Sequence, residues 1–407
     1  MTTQTSNLRG TLGSPYRAVK IILPLLSLFA FYATWGISLT DGTLNHMLAI
    51  RHGNAVNIPN TTTPLRLKFT GIPPIDYWFT IMVLFFWEAV DGSHPDTSLT
   101  GVYFLGQLIG VWALLWIEGL RRGNSGLTIA STVMWACLMH NFTLACFGGI
   151  FYCIYLSTSP TVLRKGRLSA QDRLSVAVFS SELVLLPFSL TLGYIIPSIF
   201  FGLPSPNVIS YASHQAAIAV WTPFAVWVGV SQRVLSTISS TIFPSKKSST
   251  QLPSDIAASS LCALRYVYGF FFIGSALVHI ATVTISITAV LFPMIFAPGY
   301  AEFFHPSHLL FPSNLSHVDT IGKGVQNFMQ WDQIIGYSSV LIWAGTMYWN
   351  GHVGKLSGLK DFILVTARVL LYTVLAGPGG AALALLWHRD ERVLGELATG
   401  SQSRKGY

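Results

Sequence analysis

Long apolar runs separated by short polar stretches make up most of the chain. Candidate spans fall at 18–37, 75–90, 102–116, 127–156, 176–201, 208–230, 266–296, 331–349 and 362–387. About 20 apolar residues in a helix cross a hydrocarbon core, with a range of about 17–25. The second and third runs are short by that measure, and the seventh is long enough to bend. The pattern predicts an all-α, polytopic transmembrane helix bundle of eight or nine spans, forming a single membrane domain over 1–407. Its first span is 18–37 and its last 362–387, and the Ser/Thr/Lys-rich stretch 239–255 reads as a flexible loop between helices. Pro187, Pro197, Pro223, Pro293 and the "AGPGG" of 376–380 interrupt several runs. Such breaks free carbonyls that must face protein or a cavity rather than lipid.

Composition sharpens this picture. The chain of 407 residues is 51% hydrophobic and 10% charged. Its four cysteines, at 137, 146, 153 and 262, lie in apolar runs with no CxxC, so they read as small hydrophobes. The formal charge of +8 comes from Lys and Arg in short loops, a membrane-protein bias that gives no reason to expect nucleic acid as a partner. Met1 to Lys20 is polar and the first apolar run lacks a small-residue exit, so no cleavable signal peptide is expected.

A nine-helix topology with a cytosolic N-terminus puts Arg9, Arg17, Lys20, the 164–173 loop and Lys246–Lys247 inside, as the positive-inside rule asks. The sequons at Asn60 and Asn314 then fall in two long lumenal loops, 38–74 and 297–330, as candidate glycosylation sites. The basic C-terminus fits less well, because nine crossings leave it in the lumen.

Few polar groups border the spans. Glu88 and Asp91 stand out in "FFWEAVDGSHPD" (85–96), three residues apart and so on one helix face. Two close carboxylates share a proton, which holds one of them neutral and ready to donate. Gly92 and Pro95 end that helix just beyond, which sets the pair at the mouth of the bundle. Asp332 opens a later helix at the opposite end in the nine-helix topology, and competes for the same role. His140 and Asn141 sit together near the middle of a long apolar run, where they need polar partners or a cavity. His214 with Gln215, Glu182 and the lone His279 complete the set, His279 with nothing polar beside it. Glu118 reads as a helix-end ion pair with Arg121 and Arg122, and Arg265 and Arg368 as side chains snorkelling to the interface.

No P-loop, G-x-S-x-G, H-E-x-x-H, dinucleotide fingerprint or acid-rich DDxxD motif is present, and "HRD" at 388–390 lacks every other kinase element. Acids, a His–Asn pair and many aromatics in an apolar bundle suit proton-initiated chemistry on a hydrophobic substrate. A carboxylic acid donates the proton, aromatic faces stabilise the cation, and excluded water cannot quench it.

Five stretches, "FFWEAVDGSHPD", "LGYIIPSI" (192–199), "VWTPFAVWV" (220–228), "QWDQIIG" (330–336) and "LAGPGGAALALLWHRDE" (375–391), together resemble the fungal membrane-bound terpene cyclases of meroterpenoid pathways, the ascochlorin and ascofuranone type. They run from the second helix to the last. The resemblance implies an endoplasmic-reticulum enzyme that protonates a terminal epoxide on a prenyl chain and closes rings onto the cation, with no metal or redox cofactor. It implies a hydrophobic epoxy-prenyl substrate, of meroterpenoid or indole-diterpene type, and a pathway prenyltransferase and monooxygenase to supply it. It places Glu88, Asp91 and Asp332 within family-like motifs without saying which is the acid; His140 and Asn141, from their own position, read as orienting groups in the cavity. Two other readings stand beside it. A membrane-bound O-acyltransferase would use His140 but lacks its Trp- and Arg-rich motif here; a non-catalytic scaffold or carrier needs none of the acids.

Overall fold

The computed structural model describes residues 14–53, 56–163, 168–243, 252–313, 316–352, 356 and 358–399; it is all-helical, with no strand among them. Helix α1 (Ser14–Phe31) runs on to Thr40 through a π-helical turn at Tyr32–Gly36. Helices α2 (Thr43–His52), α3 (Pro73–Val90) and α4 (Pro95–Gly119) follow. Prolines in the first turns of α3 and α4 fix their starts, since a missing N–H costs nothing there. Next come α5 (Thr132–Asn141) and α6 (Leu144–Thr158), then α7 (Ser180–Phe201), which holds a second π-turn at Thr191–Ile195. Helices α8 (Tyr211–Trp221) and α9 (Phe224–Ile242) are bent by 66° at the Thr222–Pro223 break. Helices α10 (Pro253–Leu291), α11 (Ile321–Gly351) and α12 (Leu359–Thr399) complete the bundle. Of the stretch 239–255, helix takes in only the two ends, α9 to Ile242 and α10 from Pro253, and 244–251 lie outside the described residues.

Two of the expected spans are folded back on themselves. In α12, Gly377 adopts φ 75° between the two arms, a left-handed conformation open to glycine. The rings of Tyr372 and His388 consequently stack 5.7 Å apart, where a straight helix would separate them by ~24 Å. The hairpin tip abuts Gln107 of α4, whose Oε1 accepts from Gly379 N (3.0 Å) while Nε2 donates to the Ser275 carbonyl (2.9 Å). A Cβ on Gly377 would lie 2.3 Å from that Oε1, so no other residue fits. The run 127–156 is likewise a hairpin, α5–α6, turning at Thr143 (φ 78°). Its start packs on the end of α4 and its end on the start of α1, where Tyr16 donates to the Leu156 carbonyl.

Both hairpins therefore enter and leave through one face. That face also carries the end of α4, because Glu118 bonds both Tyr155 of α6 and Arg389 of α12, and the end of α12, because Arg173 pairs with Glu396 at 2.6 Å. The basic residues of 389–392 thus share that face with Arg17, Lys20 and Arg173, and the chain beyond Thr399 lies outside the described residues. Among the described residues, five helices, or six if α8–α9 is one span, are long and apolar enough to cross a membrane, short of the eight or nine expected.

Helix α3 is not among those six. The chain from Asn60 to Thr70 runs back along it: Asn60 bonds Glu88, Thr80 bonds the Arg66 carbonyl, and Asp76 accepts from Phe69 and Thr70. The 38–74 loop and the C-terminal end of α3 consequently share a face. A straight crossing at 75–90 would have put them on opposite ones. Helices α2 and α3, held by Arg51 over the Tyr77 ring at 5.3 Å, cap the bundle there.

Candidate active site

Under this cap lies a cavity of about 120 Å³. Its walls are aromatic: Phe85 and Phe86 of the cap, Trp112 of α4, Trp221 and Phe224 at the α8–α9 bend, and Phe328 of α11. Each π-helical turn delivers one more ring, Trp35 from α1 and Tyr194 from α7. A π-turn swings one side chain out of register with its helix, a device frequent at functional sites. Trp35 meets Phe328 edge-on at 5.2 Å, and Phe328 meets Phe85 at 5.2 Å, closing one wall.

Among the described residues lining this space, Asp332 is the one acid. It projects from α11 onto the α5–α6 turn, where its Oδ1 accepts from Ala145 N at 2.7 Å. Thr143 caps the same helix start by accepting from Cys146 N (3.1 Å). The carboxyl group therefore sits at the N-terminus of α6, where free amides and the helix dipole favour an oxygen ligand. His140 and Asn141, on the last turn of α5, line the same cavity. The His140 ring stands edge-on to Trp221 and Phe224, with centroids 5.0 Å from each, and its Nε2 has no hydrogen-bond partner. The Asn141 amide donates to the Cys137 carbonyl at 2.8 Å. Three of the five sequence candidates thus come together, from segments almost two hundred residues apart.

Glu88 and Asp91 lie elsewhere. They do share a face: the Asn60 amide donates to Glu88 Oε1 (3.2 Å) and to Asp91 Oδ2 (3.4 Å). Neither lines the cavity. Glu88 is buried, its Oε2 accepting from Gly322 N at 2.5 Å in the first turn of α11, with His94 Nε2 at 3.7 Å. Asp91 Oδ1 accepts from the amide and hydroxyl of Ser93 (2.8 and 2.6 Å). The pair is not across the bundle from Asp332: Glu88 caps the very helix that carries it. Of the two sequons, Asn60 uses the nitrogen a glycan would take, and Asn314 lies outside the described residues.

A family model described as the CtvD domain matches residues 19–394. The chain belongs to the CtvD family. It is 26% identical to terpene cyclase ctvD of Aspergillus terreus over 90% of its own length and 97% of that protein's. Against terpene cyclase penA of Penicillium crustosum it is 24% identical, covering 91% and 95%. Against terpene cyclase ascI of Acremonium egyptiacum it is 25% identical, covering 93% and 92%. No solved structure matches. This CtvD-family chain is an enzyme with terpene cyclase activity, which sets aside the carrier and the acyltransferase.

Sequence reasoning passed over a second polar centre of this CtvD-family fold. Glu118 does pair with Arg121 (2.9 Å), as its spacing predicts. Arg121 also binds Asp390 at 2.7 Å, and Arg389 binds both Asp390 (2.8 Å) and Glu118 (3.3 Å), all fully buried among Tyr155 and Tyr268. The "HRD" that has no kinase meaning therefore ties the last helix to α4 at the face opposite the cap. No member of this network lines the cavity. His279 has partners as well, Tyr103 at 3.2 Å and the Val374 carbonyl at 2.9 Å, both distant in sequence.

Proposed function

We propose that this cyclase is membrane-bound and cyclises the prenyl chain of a meroterpenoid or indole-diterpene intermediate by protonating a terminal epoxide, with Asp332 as the acid. The observation that carries the reading is the position of Asp332: an acid in an aromatic-walled cavity, with one oxygen bonded to the Ala145 amide. The Ala145 amide at the start of α6 fixes the carboxyl group at the cavity wall. A general acid must lie within hydrogen-bond reach of the atom it protonates. The faces of Trp221, Phe224 and Phe328 offer negative quadrupoles to a tertiary cation, and the apolar walls keep water from ending the reaction early.

In this reading the polyene folds against the rings with its epoxide toward Asp332, and His140 and Asn141 orient it at the α5–α6 turn. Glu88 and Asp91 hold the cap on α11 instead. The enzyme sits in the endoplasmic reticulum with its N-terminus cytosolic. Its substrate comes from a pathway prenyltransferase followed by an epoxidising monooxygenase. Long apolar helices and named terpene cyclase relatives of nearly equal length support this assignment.

The direct test gives microsomes holding the protein two probes, an ω-epoxyfarnesyl phenol and the same compound with an unoxidised terminal alkene. Epoxide-dependent ring closure, unaffected by a chelator, is the expected result. Equal conversion of the alkene probe would mean that epoxide opening does not start the reaction.

A further inference from the structure

An isomerising cyclisation takes one proton in and must let one out, so a cavity with an acid needs a base. His140 has the geometry for it. Its ring stands edge-on to Trp221 and Phe224, at the α8–α9 bend. Nε2 is buried and has no partner, although His140 is a cavity-lining residue. A buried polar atom left unpaired costs about 1–3 kcal/mol, so an unpaired Nε2 beside a substrate cavity is an acceptor waiting for a donor. Asn141 is no rival, since an amide is not a base and its nitrogen is spent on Cys137. Asp332 reaches the same turn through Ala145, so acid and imidazole flank one hairpin tip.

We propose that His140 is the catalytic base that ends the cyclisation, a role that rests on the acid-initiated reading above. Asp332 gives its proton to the epoxide oxygen; the C–O bond breaks and its electron pair stays on oxygen, which becomes a hydroxyl. Alkene π pairs then form the ring C–C bonds and leave a tertiary cation. A C–H bond beside that cation breaks, its pair becomes the new C=C bond, and the proton moves to Nε2. The imidazolium returns this proton to the Asp332 carboxylate, so the enzyme is restored and no co-reactant is consumed. Trp221 and Phe224 attract both cations of the sequence, the carbocation and then the imidazolium. The substrate class follows: a polyene epoxide whose product carries one alkene formed by proton loss.

The test uses microsomes holding the full chain, an ω-epoxyfarnesyl phenol as probe, and separate readouts of probe consumption and product ratio. His140→Gln keeps polarity without basicity, and His140→Ala makes room for added imidazole. Both are expected to consume the probe within roughly an order of magnitude of wild type while alkene gives way to water adducts. Imidazole is expected to restore the alkene with His140→Ala only, which a packing role would not produce. A wild-type product ratio in both variants overturns the proposal. So does loss of all consumption without imidazole rescue, or failure of both to accumulate, which would make the ring structural. Asp332→Asn serves as the separate arm: if it consumes probe at the wild-type rate, the acid assignment falls whatever the His140 variants do.

Discussion

Asp332 and Glu88 are the same chemical group in the same kind of place. Each is a buried carboxyl group bonded to a backbone amide in the first turn of a helix, Ala145 of α6 for one and Gly322 of α11 for the other. What separates them is the rest of the shell. Glu88 also holds Asn60 and has His94 nearby, so its oxygens are occupied within protein. Asp332, held by the start of α6, borders an aromatic-walled cavity that Glu88 does not line. Local electrostatics at a helix start can serve as a clamp or as a catalyst. Access to the cavity decides which.

The largest effect that can break this comparison is on turnover. Asp332→Asn keeps size and the contact with Ala145 but removes the transferable proton. General acid catalysis contributes about 10²–10⁴-fold, and the variant is expected to lose that much epoxide-dependent cyclisation while accumulating in membranes at wild-type level. Activity within a few-fold of wild type would return the acid role to Glu88 or Asp91.

Glu88→Ala should do the converse. It strands the Gly322 amide and one bond of Asn60, and an unsatisfied buried group costs about 1–3 kcal/mol. Thermal unfolding in detergent should register that loss, with turnover per folded molecule near wild type. A stable Glu88→Ala protein that does not turn over would reverse the assignment of the two acids.

Much of the bundle is written in its apolar runs. The core of α4 at 102–116 is read almost in place, because burial on nearly all sides leaves a continuous apolar stretch, and the helix over 75–90 is read in place although only one of its faces is buried. The two reversals are not readable this way. Hydrophobicity is the same whether a helix crosses or turns back, and what turns α12 is Gly377 seated on Gln107, 270 positions away in sequence. The "AGPGG" marks a break without saying how sharp. The ranking of the acids failed for a related reason. Glu88 and Asp91 announce themselves by local spacing, whereas Asp332 is distinguished only by what surrounds it, Ala145, Phe328 and the α8–α9 bend. His279 and Arg389 show the same limit, since all their partners but Asp390 come from other parts of the chain.

The smallest effect separates backbone from side chain at Asn60, the residue that completes the Glu88 shell. Asn60 is exposed and sits at φ 61°, a region asparagine tolerates better than other residues with a Cβ. Its two bonds to Glu88 and Asp91 are long, at 3.2 and 3.4 Å, so each is a weak one. Asn60→Gly keeps the backbone and loses the amide, for which a net cost of about 0.5–1.5 kcal/mol is expected. Asn60→Ala loses the amide and also pays for the left-handed backbone, about 1–2 kcal/mol more. Thermal unfolding should therefore rank wild type, Gly, then Ala, with turnover unchanged in both. If Gly matches wild type, Asn60 is there for its backbone and Glu88 is held by α11 and His94. A fall in turnover beyond the fall in stability would instead connect the cap's acids to the chemistry.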